Sequence, residues 1–458
     1  MNLFDSADPR PVHFLGIGGA GMSALALLAC RRGVAVTGCD ADPTGAADLA
    51  ALGVRVFTGH DPSHVEGSRA IVYTAAVPEE HAELARARAL QLAVVPRKVA
   101  LGNLVAGRQT VAVSGTHGKT TTTVMATEVL AAMGAEPTGL AGGRVSAWGG
   151  NARIGSDQLF VIEADEYDKA FLTLQPSVAI VNNVEPDHLE CYGSVEALDD
   201  AFAEFAGRAS LVLAGADDPG ARRIAERIGP KARTFGTAAD ADIRIADVRQ
   251  SAGETAARVT FPGGETVTVR LQVPGLHNLR NAVGALAAAL HYEPCRAEAG
   301  LEALARFTGV GRRFERLGEH GGVEIVDDYA HHPSELVATL AAARQAFPGR
   351  RLVAVFQPHL FSRTAAHAGA MGEALAAADL VVVTEIYAAR EQPIAGVSGR
   401  QVAEAAERAG AATVFEGERP AVGRRVLGLV RAGDVVLTLG AGDITRVGPE
   451  LVRWLRAA

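Results

Sequence analysis

A chain of 458 residues is long enough for roughly two to four domains, each with a core of its own. Its 48% hydrophobic and 21% charged residues are the make-up of a soluble globular protein, and a net charge of −8 excludes a general nucleic-acid binder, which needs a basic surface to neutralise phosphates. Cys30, Cys39, Cys191 and Cys295 form no CxxC pair, which argues against a zinc knuckle or disulfide framework and for reduced thiols in a cytoplasmic protein.

The N-terminal stretch MNLFDSADPRPVHF carries no basic-then-apolar leader, and no apolar run reaches the ~18 residues of a membrane span, so no stable membrane insertion is expected. Beyond it, short β-rich runs alternate with alanine-rich amphipathic stretches, which predicts parallel sheets flanked by helices. Three blocks emerge. The first, residues 1–106, opens with VHFLGIGGAGMSALALLACRRGVAVTGCDAD, read as strand, glycine turn, helix and a second strand ending at Asp40. The second, 107–311, has buried strands in TVAVSG, LFVIEADE, VAIVNNVE and SLVLAGADD, and a hairpin turning at Pro262-Gly263-Gly264. The helix LRNAVGALAAALHY closes it. The third, 312–458, has strands in VEIVDDY, RLVAVFQPH, DLVVVTEIY and DVVLTLGAG, and reads as a second use of the doubly wound plan of the first.

The first glycine turn, Gly16, Gly18, Gly19, Ala20 and Gly21, satisfies G-x-G-x-x-G between a strand and a helix, with Asp40 placed 19 residues past Gly21 where a ribose-binding acid belongs. Such a turn brings backbone N–H groups to a diphosphate at a helix N-terminus. Any nucleotide diphosphate suits it, NAD included, and a tight structural turn is the bland alternative. In the second block, Gly115-Thr116-His117-Gly118-Lys119-Thr120-Thr121 follows a strand and opens a helix. The full phosphate-loop pattern would need glycine at 113, where Val113 stands, so the loop is shorter than usual. Lys119 can reach terminal phosphate oxygens and Thr120 can offer a hydroxyl to Mg²⁺, which points to ATP.

Candidate metal groups follow the next strands: Glu163, Asp165, Glu166 and Asp168 after LFVI, and Asp187 with His188 after VAIVNNVE. Open α/β sheets bind ligands at such strand ends. A hard cation prefers oxygen ligands, so His188 alone reads more readily as structural or as a base. In the third block, Asp327-Asp328-Tyr329-Ala330-His331 and His359 through Arg363 also follow strands.

Taken together, HFLGIGGAGMSALA, SGTHGKTTTT, EADEYDKAFLTLQP, NNVEPDHLECYG, PGLHNLRNA, GVGRRFE, VDDYAHHPSE, FQPHLFSRT and LGAGDI resemble, in this order, the motifs of the Mur ligases of bacterial cell-wall synthesis. The resemblance implies a Rossmann-like N-terminal domain for a UDP-sugar, a central ATPase domain whose parallel sheet carries a small antiparallel sheet, and a Rossmann-like C-terminal domain for the amino acid. It is strongest to the branch that joins L-alanine to UDP-N-acetylmuramate through an acyl phosphate, with no nucleic-acid partner, as monomer or homodimer. It implies that Gly16–Gly21 takes the UDP diphosphate and not NAD. It assigns Mg²⁺ to Thr120, Glu163 and His188, the adenine side of ATP to His277, Asn278 and Asn281, ribose to Asp328 and phosphate to Arg313. Tyr329, His331 and Arg363 fall to the alanine pocket, with Lys119, Glu163, His188, Arg313, His331 and Arg363 as the catalytic set.

Two departures stand out. Many relatives read QPHRYTRT where this chain has QPHLFSRT, so Leu360 removes one arginine and leaves Arg363 to hold the acceptor carboxylate. Sister ligases use a carbamylated lysine after the metal histidine, and no lysine lies between Leu189 and Arg208. The competing readings are a ligase adding a whole tripeptide to the same UDP-sugar, an NAD-dependent oxidoreductase, and a nucleotide switch without catalysis.

Overall fold

The computed structural model describes residues 3–389 and 391–457. Its three sheets follow the three sequence blocks. The first is fully parallel: Val12–Leu15 (β1), Val36–Asp40 (β2), Arg55–Thr58 (β3), Ala70–Tyr73 (β4) and Ala93–Pro96 (β5), in the order β3-β2-β1-β4-β5. Every residue of β1 is buried, as a central parallel strand requires when both sheet faces are covered, and the one polar member of VHFL, His13, is hydrogen-bonded there.

The central sheet has ten strands: Gln109–Ser114 (β6), Thr138–Val145 (β7), Gly150–Arg153 (β8), Leu159–Glu163 (β9), Val178–Val181 (β10), Leu211–Gly215 (β11), Ala232–Gly236 (β12), Ile243–Gln250 (β13), Thr255–Thr260 (β14) and Thr266–Leu271 (β15). Their order is β15-β14-β13-β12-β11-β10-β6-β9-β7-β8. The expected hairpin is β14–β15: Phe261 N donates to Glu265 O (2.8 Å) across a turn in which Gly263 and Gly264 both hold φ near +90°. The small antiparallel sheet foreseen as an addition is therefore one edge of the central sheet itself. Strands β7 and β8 escaped the sequence reading because TGLAGGRV and GNAR are glycine-rich and short of β-branched residues.

The third sheet comprises Glu315–His320 (β16), Val323–Asp328 (β17), Leu352–Phe356 (β18), Leu380–Val383 (β19), Thr413–Phe415 (β20) and Val435–Leu439 (β21), ordered β16-β17-β21-β18-β19-β20. It departs from the first sheet in two ways. The polar strand β16 adds an antiparallel edge to β17, and the last strand β21 inserts between β17 and β18.

The chain divides into two compact units. One runs as far as Asp247 and includes Ala257–Val269 and Arg280–Arg306; the other holds Val248–Ala256, Arg270–Leu279 and the chain from Phe307 onward. The first and central sheets thus share a unit and a core, in which Phe14, Leu25 and Leu28 join the same apolar cluster as Phe160, Ile162 and Phe171. Polar contacts reinforce it: Asn151 Nδ2 donates to Ser23 Oγ (3.0 Å), and Lys98 pairs with Asp168 (2.8 Å). Among the described residues no helix is long and apolar enough to cross a membrane.

Phe171 anchors the segment following β9. Its ring stacks on Phe205 (5.0 Å) and meets Phe202 edge-on (5.1 Å), all three fully buried. Phe171→Ala is expected to destabilise this unit by about 3–5 kcal/mol. Urea unfolding followed by tryptophan fluorescence measures it, and a shift below about 1 kcal/mol would mean that the ring is not the anchor.

Candidate functional site

The strand ends decide where the chemistry collects. Strands β10, β6 and β9 are neighbours and parallel, so the segments leaving their C-terminal ends converge: Asn182 to His188, Gly115 to Thr121, and Glu163 to Asp168. The turn after β6 enters the helix Lys119–Ala132 through Gly118, whose φ of +81° puts it in the left-handed region. A Cβ there would press on Asn281 Oδ1 (2.6 Å), so only glycine leaves room. No side chain caps this helix and no acidic residue occupies its first turn. Its leading N–H groups and dipole are therefore available to an anion, as a phosphate requires.

The loop is short but braced from the strand beside it. Asn183 O accepts from Thr116 N (3.1 Å) and Asn183 Oδ1 from His117 N (2.7 Å). Asn182 Nδ2 donates to His117 O (3.3 Å) and Thr122 Oγ1 (3.1 Å), while Glu185 N donates to Thr116 Oγ1 (2.9 Å). Asn182 and Asn183 had been read only as part of a motif; their position at the end of an apolar strand next to the loop was the available signal.

Lys119 is largely enclosed, with its Nζ donating to Gly115 O (2.7 Å), Thr116 O (3.3 Å) and both oxygens of Glu166 (2.8 and 3.0 Å). Burial works against the ammonium, but Glu166, Asp165 and Glu163 outweigh it and raise its pKa, so it stays charged. Burial pushes the Glu166 carboxyl up, against the pull of Lys119. Tyr192 Oη donates to the Glu166 carbonyl (2.5 Å), fixing that residue from the other side.

Of the three proposed metal groups, Thr120 is buried at the helix start and Glu163 ends β9, its carboxylate accepting from Gly142 N. His188 lies beyond β10 with φ of +54°, an uncommon backbone for a β-carbon residue and a sign of functional constraint. Its ring meets Tyr167 edge-on at 5.0 Å, and its nitrogens lie 3.7 Å from Asp187 and 3.4 Å from Glu190. A hydroxyl, several carboxylates and an uncapped helix beside one lysine fit a triphosphate with a hard divalent cation. Thr120 and Glu163 could supply its oxygen donors.

The turn after β1 has the same design. The helix Ala20–Arg31 starts at Gly19 without a side-chain cap or first-turn acid. Asp40 holds the turn, its Oδ2 accepting from Gly18 N (2.9 Å) and its Oδ1 from Asp42 N (3.0 Å). Both carboxylate oxygens thus brace the backbone of the turn, each with acceptor capacity left for a ligand. A Cβ on Gly18 would meet Asp42 O at 2.6 Å, and one on Gly21 would run into the guanidinium of Arg97. Arg97, the first residue of the helix Arg97–Val105, is a cation beside the turn that sequence reading missed. Its signal was a basic residue directly after a strand end.

In the second unit, Asp328 ends β17 fully buried. Its Oδ2 accepts from Phe314 N (2.7 Å), and its Oδ1 from Ala330 N (2.8 Å) and Thr339 Oγ1 (3.2 Å). Burial pushes its carboxyl up to about 6, although Arg313 and these N–H donors pull the other way. Arg312 and Arg313 both stack on Tyr329, at 4.7 and 4.9 Å, and Arg313 lies 3.7 Å from Glu335. His331 Nδ1–H donates to Tyr329 O (2.9 Å), and its ring lies 5.8 Å from that of His359. Arg363 Nη1 donates to His359 Nδ1 (3.3 Å), and His359 stacks on Tyr387 at 5.9 Å. Tyr329, His331 and Arg363 thus form one cluster through His359, and Tyr387 is a further member that sequence reading did not single out. Leu360 is buried with φ of +68°, so it lines the helix entry and offers no second cation. His277 packs on Gly275, and Asn278 Nδ2 donates to Pro274 O (2.7 Å).

The chain matches known proteins along its whole length. Residues 11–109 match the Mur ligase family, catalytic domain; 113–289 match the Mur ligase middle domain; and 312–442 match the Mur ligase, glutamate ligase domain. The chain is 45% identical to the UDP-N-acetylmuramate–L-alanine ligase of Thermobifida fusca over 99% of its own length and 100% of that protein's. To the enzyme of the same name from Kineococcus radiotolerans it is 47% identical, over 97% and 96% of the two chains. Among solved structures it is similar to the UDP-N-acetylmuramate-alanine ligase of Thermotoga maritima, with a TM-score of 0.85 and 31% identity over 98% and 99% of the chains. A murein peptide ligase from Psychrobacter arcticus shares the fold at a TM-score of 0.73 and 24% identity. Relatives this similar, matched from end to end, place the chain beyond a shared fold: it belongs to the Mur ligase family.

Proposed function

We propose that the protein joins L-alanine to the carboxylate of UDP-N-acetylmuramate at the expense of ATP, in the cytoplasm, with domains at 1–106, 107–311 and 312–458. The observation that carries this reading is end-to-end identity of 45–47% to two ligases of that name. The tripeptide-adding alternative has weaker support, since the solved ligase named for adding L-alanyl-γ-D-glutamyl-meso-diaminopimelate is 26% identical over 67% of this chain.

The carboxylate oxygen attacks the γ-phosphorus of ATP; the new P–O bond forms as the bond to the bridging oxygen breaks, and ADP leaves. The alanine amine then attacks the acyl carbon, a C–N bond forms, and the C–O bond to phosphate breaks. Phosphorylation turns a poor electrophile into one with a leaving group. In this scheme Lys119, already charged in its carboxylate cradle, stabilises charge on the transferring phosphoryl group together with the N–H groups of the helix it opens. Mg²⁺ held by Thr120 and Glu163, with His188 serving a second ion, would neutralise phosphate charge. Gly16 to Gly21 and Arg97 take the UDP diphosphate. His277, Asn278 and Asn281 take the adenine side, Asp328 the ribose and Arg313 a phosphate.

In the second unit Arg363 takes the alanine carboxylate. The donation from His331 Nδ1 to Tyr329 O leaves Nε2 as the acceptor nitrogen of the neutral ring, and the attacking amine must lose a proton. That tautomer supports His331 as the group beside the amine, and Tyr329 shapes the pocket.

Lys119→Ala is expected to remove at least ~3 kcal/mol of transition-state stabilisation. ADP release measured with UDP-N-acetylmuramate, Mg²⁺ and an amino-acid panel decides this, and near-normal turnover in the variant sinks the assignment. Arg363→Ala should weaken the alanine step by roughly 2–4 kcal/mol, or about 30- to 1000-fold, while acyl phosphate still forms and is trapped by hydroxylamine. An unchanged alanine KM would put the carboxylate elsewhere; loss of the trapped acyl phosphate would put Arg363 at the phosphates.

Asp328 gives a pH test. Its carboxyl is raised from 3.8 to about 6, so the folded chain holds this proton more tightly than the unfolded chain does. The stabilisation is complete below 3.8 and is lost as pH rises through about 6. Urea midpoints measured across that window should fall less steeply with pH in Asp328→Asn than in the wild type, and parallel profiles would count against the shift.

A further inference from the structure

The proposed reaction makes no use of a second cluster, which lies on the other face of the first sheet. His13 on β1, Cys39 on β2 and Glu83 on the helix Ala82–Ala89 are all fully buried, and their ligating atoms are mutually close. His13 Nε2 is 3.4 Å from Cys39 Sγ and 3.4 Å from Glu83 Oε2, while Cys39 Sγ is 3.1 Å from that same oxygen. His60 Nδ1 approaches from the loop after β3, 3.4 Å from Cys39 Sγ and 3.5 Å from Glu83 Oε1. His64 Nδ1 lies 3.4 Å from the same carboxylate. A thiol, a carboxylate and three imidazoles thus gather within an otherwise apolar layer of Leu15, Ile71, Leu84 and Ala87.

We propose that His13, Cys39 and Glu83, with His60 as fourth ligand, form a structural site for a zinc-like divalent transition metal. Zinc bonds of about 2.3 Å to sulfur and about 2.0–2.1 Å to nitrogen or oxygen give tetrahedral edges of about 3.3–3.6 Å between ligand atoms. The His13, Cys39 and Glu83 separations of 3.1–3.4 Å already approach those edges, and His60 flanks this triad 3.4 Å from Cys39 Sγ. Thiolate with imidazole selects zinc-like ions over Mg²⁺, which separates this site from the phosphate loop. The outer partners are those of a metal centre too. His13 Nδ1 is held by Thr37 Oγ1 (3.0 Å), which aims Nε2 inward, and Glu83 Oε1 accepts from Asp61 N (2.9 Å). The His60 side chain is 32% exposed and gives a path for the ion.

The protons balance simply. Burial and the neighbouring Glu83 keep Cys39 a neutral thiol that donates to that carboxylate. Burial alone would raise the Glu83 carboxyl, but hydrogen bonds from His13 and Cys39 and the charge of His13 hold it down to about 2. An entering M²⁺ forms the M–S bond as the S–H proton leaves to solvent and the M–N bond as the proton on His13 Nε2, which faces Glu83, leaves as well. The ion would tie β1, β2, the loop after β3 and the helix Ala82–Ala89 together. Cys39 O accepts from Gly16 N (2.9 Å) and Ile17 N (3.1 Å), so it would also fix the strand that carries the diphosphate turn.

The test is Co²⁺ titration of the full chain, free of any histidine tag, followed by absorbance. A thiolate-to-cobalt charge-transfer band with tetrahedral visible bands should appear and be reversed by Zn²⁺. Cys39→Ser should abolish the charge-transfer band, and Cys191→Ser, near the other metal region, should keep it. Thr37→Val, which leaves every ligand in place, should weaken Co²⁺ binding about 10- to 100-fold. His60→Ala, at the solvent rim, should weaken it and alter the visible bands. Absence of the band in the wild type, its survival in Cys39→Ser or its loss in Cys191→Ser would each overturn the proposal.

Discussion

The ammonium of Lys119 is the charge around which the central sheet is organised. A largely buried cation is costly unless its partners are fixed, and three carboxylates bear on this one, Glu163 at the end of β9 and Asp165 and Glu166 just after it. Glu166 does so in direct contact at 2.8 Å. That segment is held in turn by the Phe171 aromatic cluster below it and by Tyr192 beside it. The lysine can therefore wait, charged and oriented, at the mouth of an uncapped helix, which is the preorganisation that phosphoryl transfer rewards.

The short loop obeys the same constraint. Without glycine at 113 the turn cannot wrap as widely around a phosphate as a longer loop, and its backbone borrows support from the next strand instead. Asn182 and Asn183 provide that support through side-chain and main-chain hydrogen bonds to Thr116, His117 and Thr122. Asn281, against Gly118, closes the other side. The turn after β1 solves the equivalent problem with Asp40, which clamps Gly18 and Asp42 by their N–H groups. One carboxylate at that spacing thus shapes the turn while standing where a ribose ligand is expected.

The second unit gathers its groups around an aromatic platform. Tyr329 carries two guanidinium groups on its ring and accepts from His331 through its carbonyl, while His359 joins His331 to Arg363. Leu360, where the family resemblance implies a second arginine, is buried at a backbone φ of +68°. Under the proposed function, the acceptor carboxylate would then be held by one buried arginine, Arg363, where a single bidentate pair is strong.

How much of this was legible in sequence depended on how local the governing physics is. The strand–turn–helix signatures at Gly16–Gly21 and Gly115–Thr121, the fully buried strands and the Pro262–Gly264 turn are set by residues within a few positions of one another, and each was read correctly. The parallel sheets followed from apolar runs that only two covered faces allow. Sheet order was a different matter. That β21 enters between β17 and β18, that polar β16 pairs at all, and that β7 and β8 extend the central sheet depend on which edges the folded chain exposes, which no local pattern encodes. The same holds for side chains that meet across long separations. His13, Cys39, His60, His64 and Glu83 carry no recognisable spacing along the chain. They converge because β1 and β2 pair in parallel with His13 opposite Thr37 and Leu15 opposite Cys39, so that strand alternation turns His13 and Cys39 to one face, beneath a helix that brings Glu83.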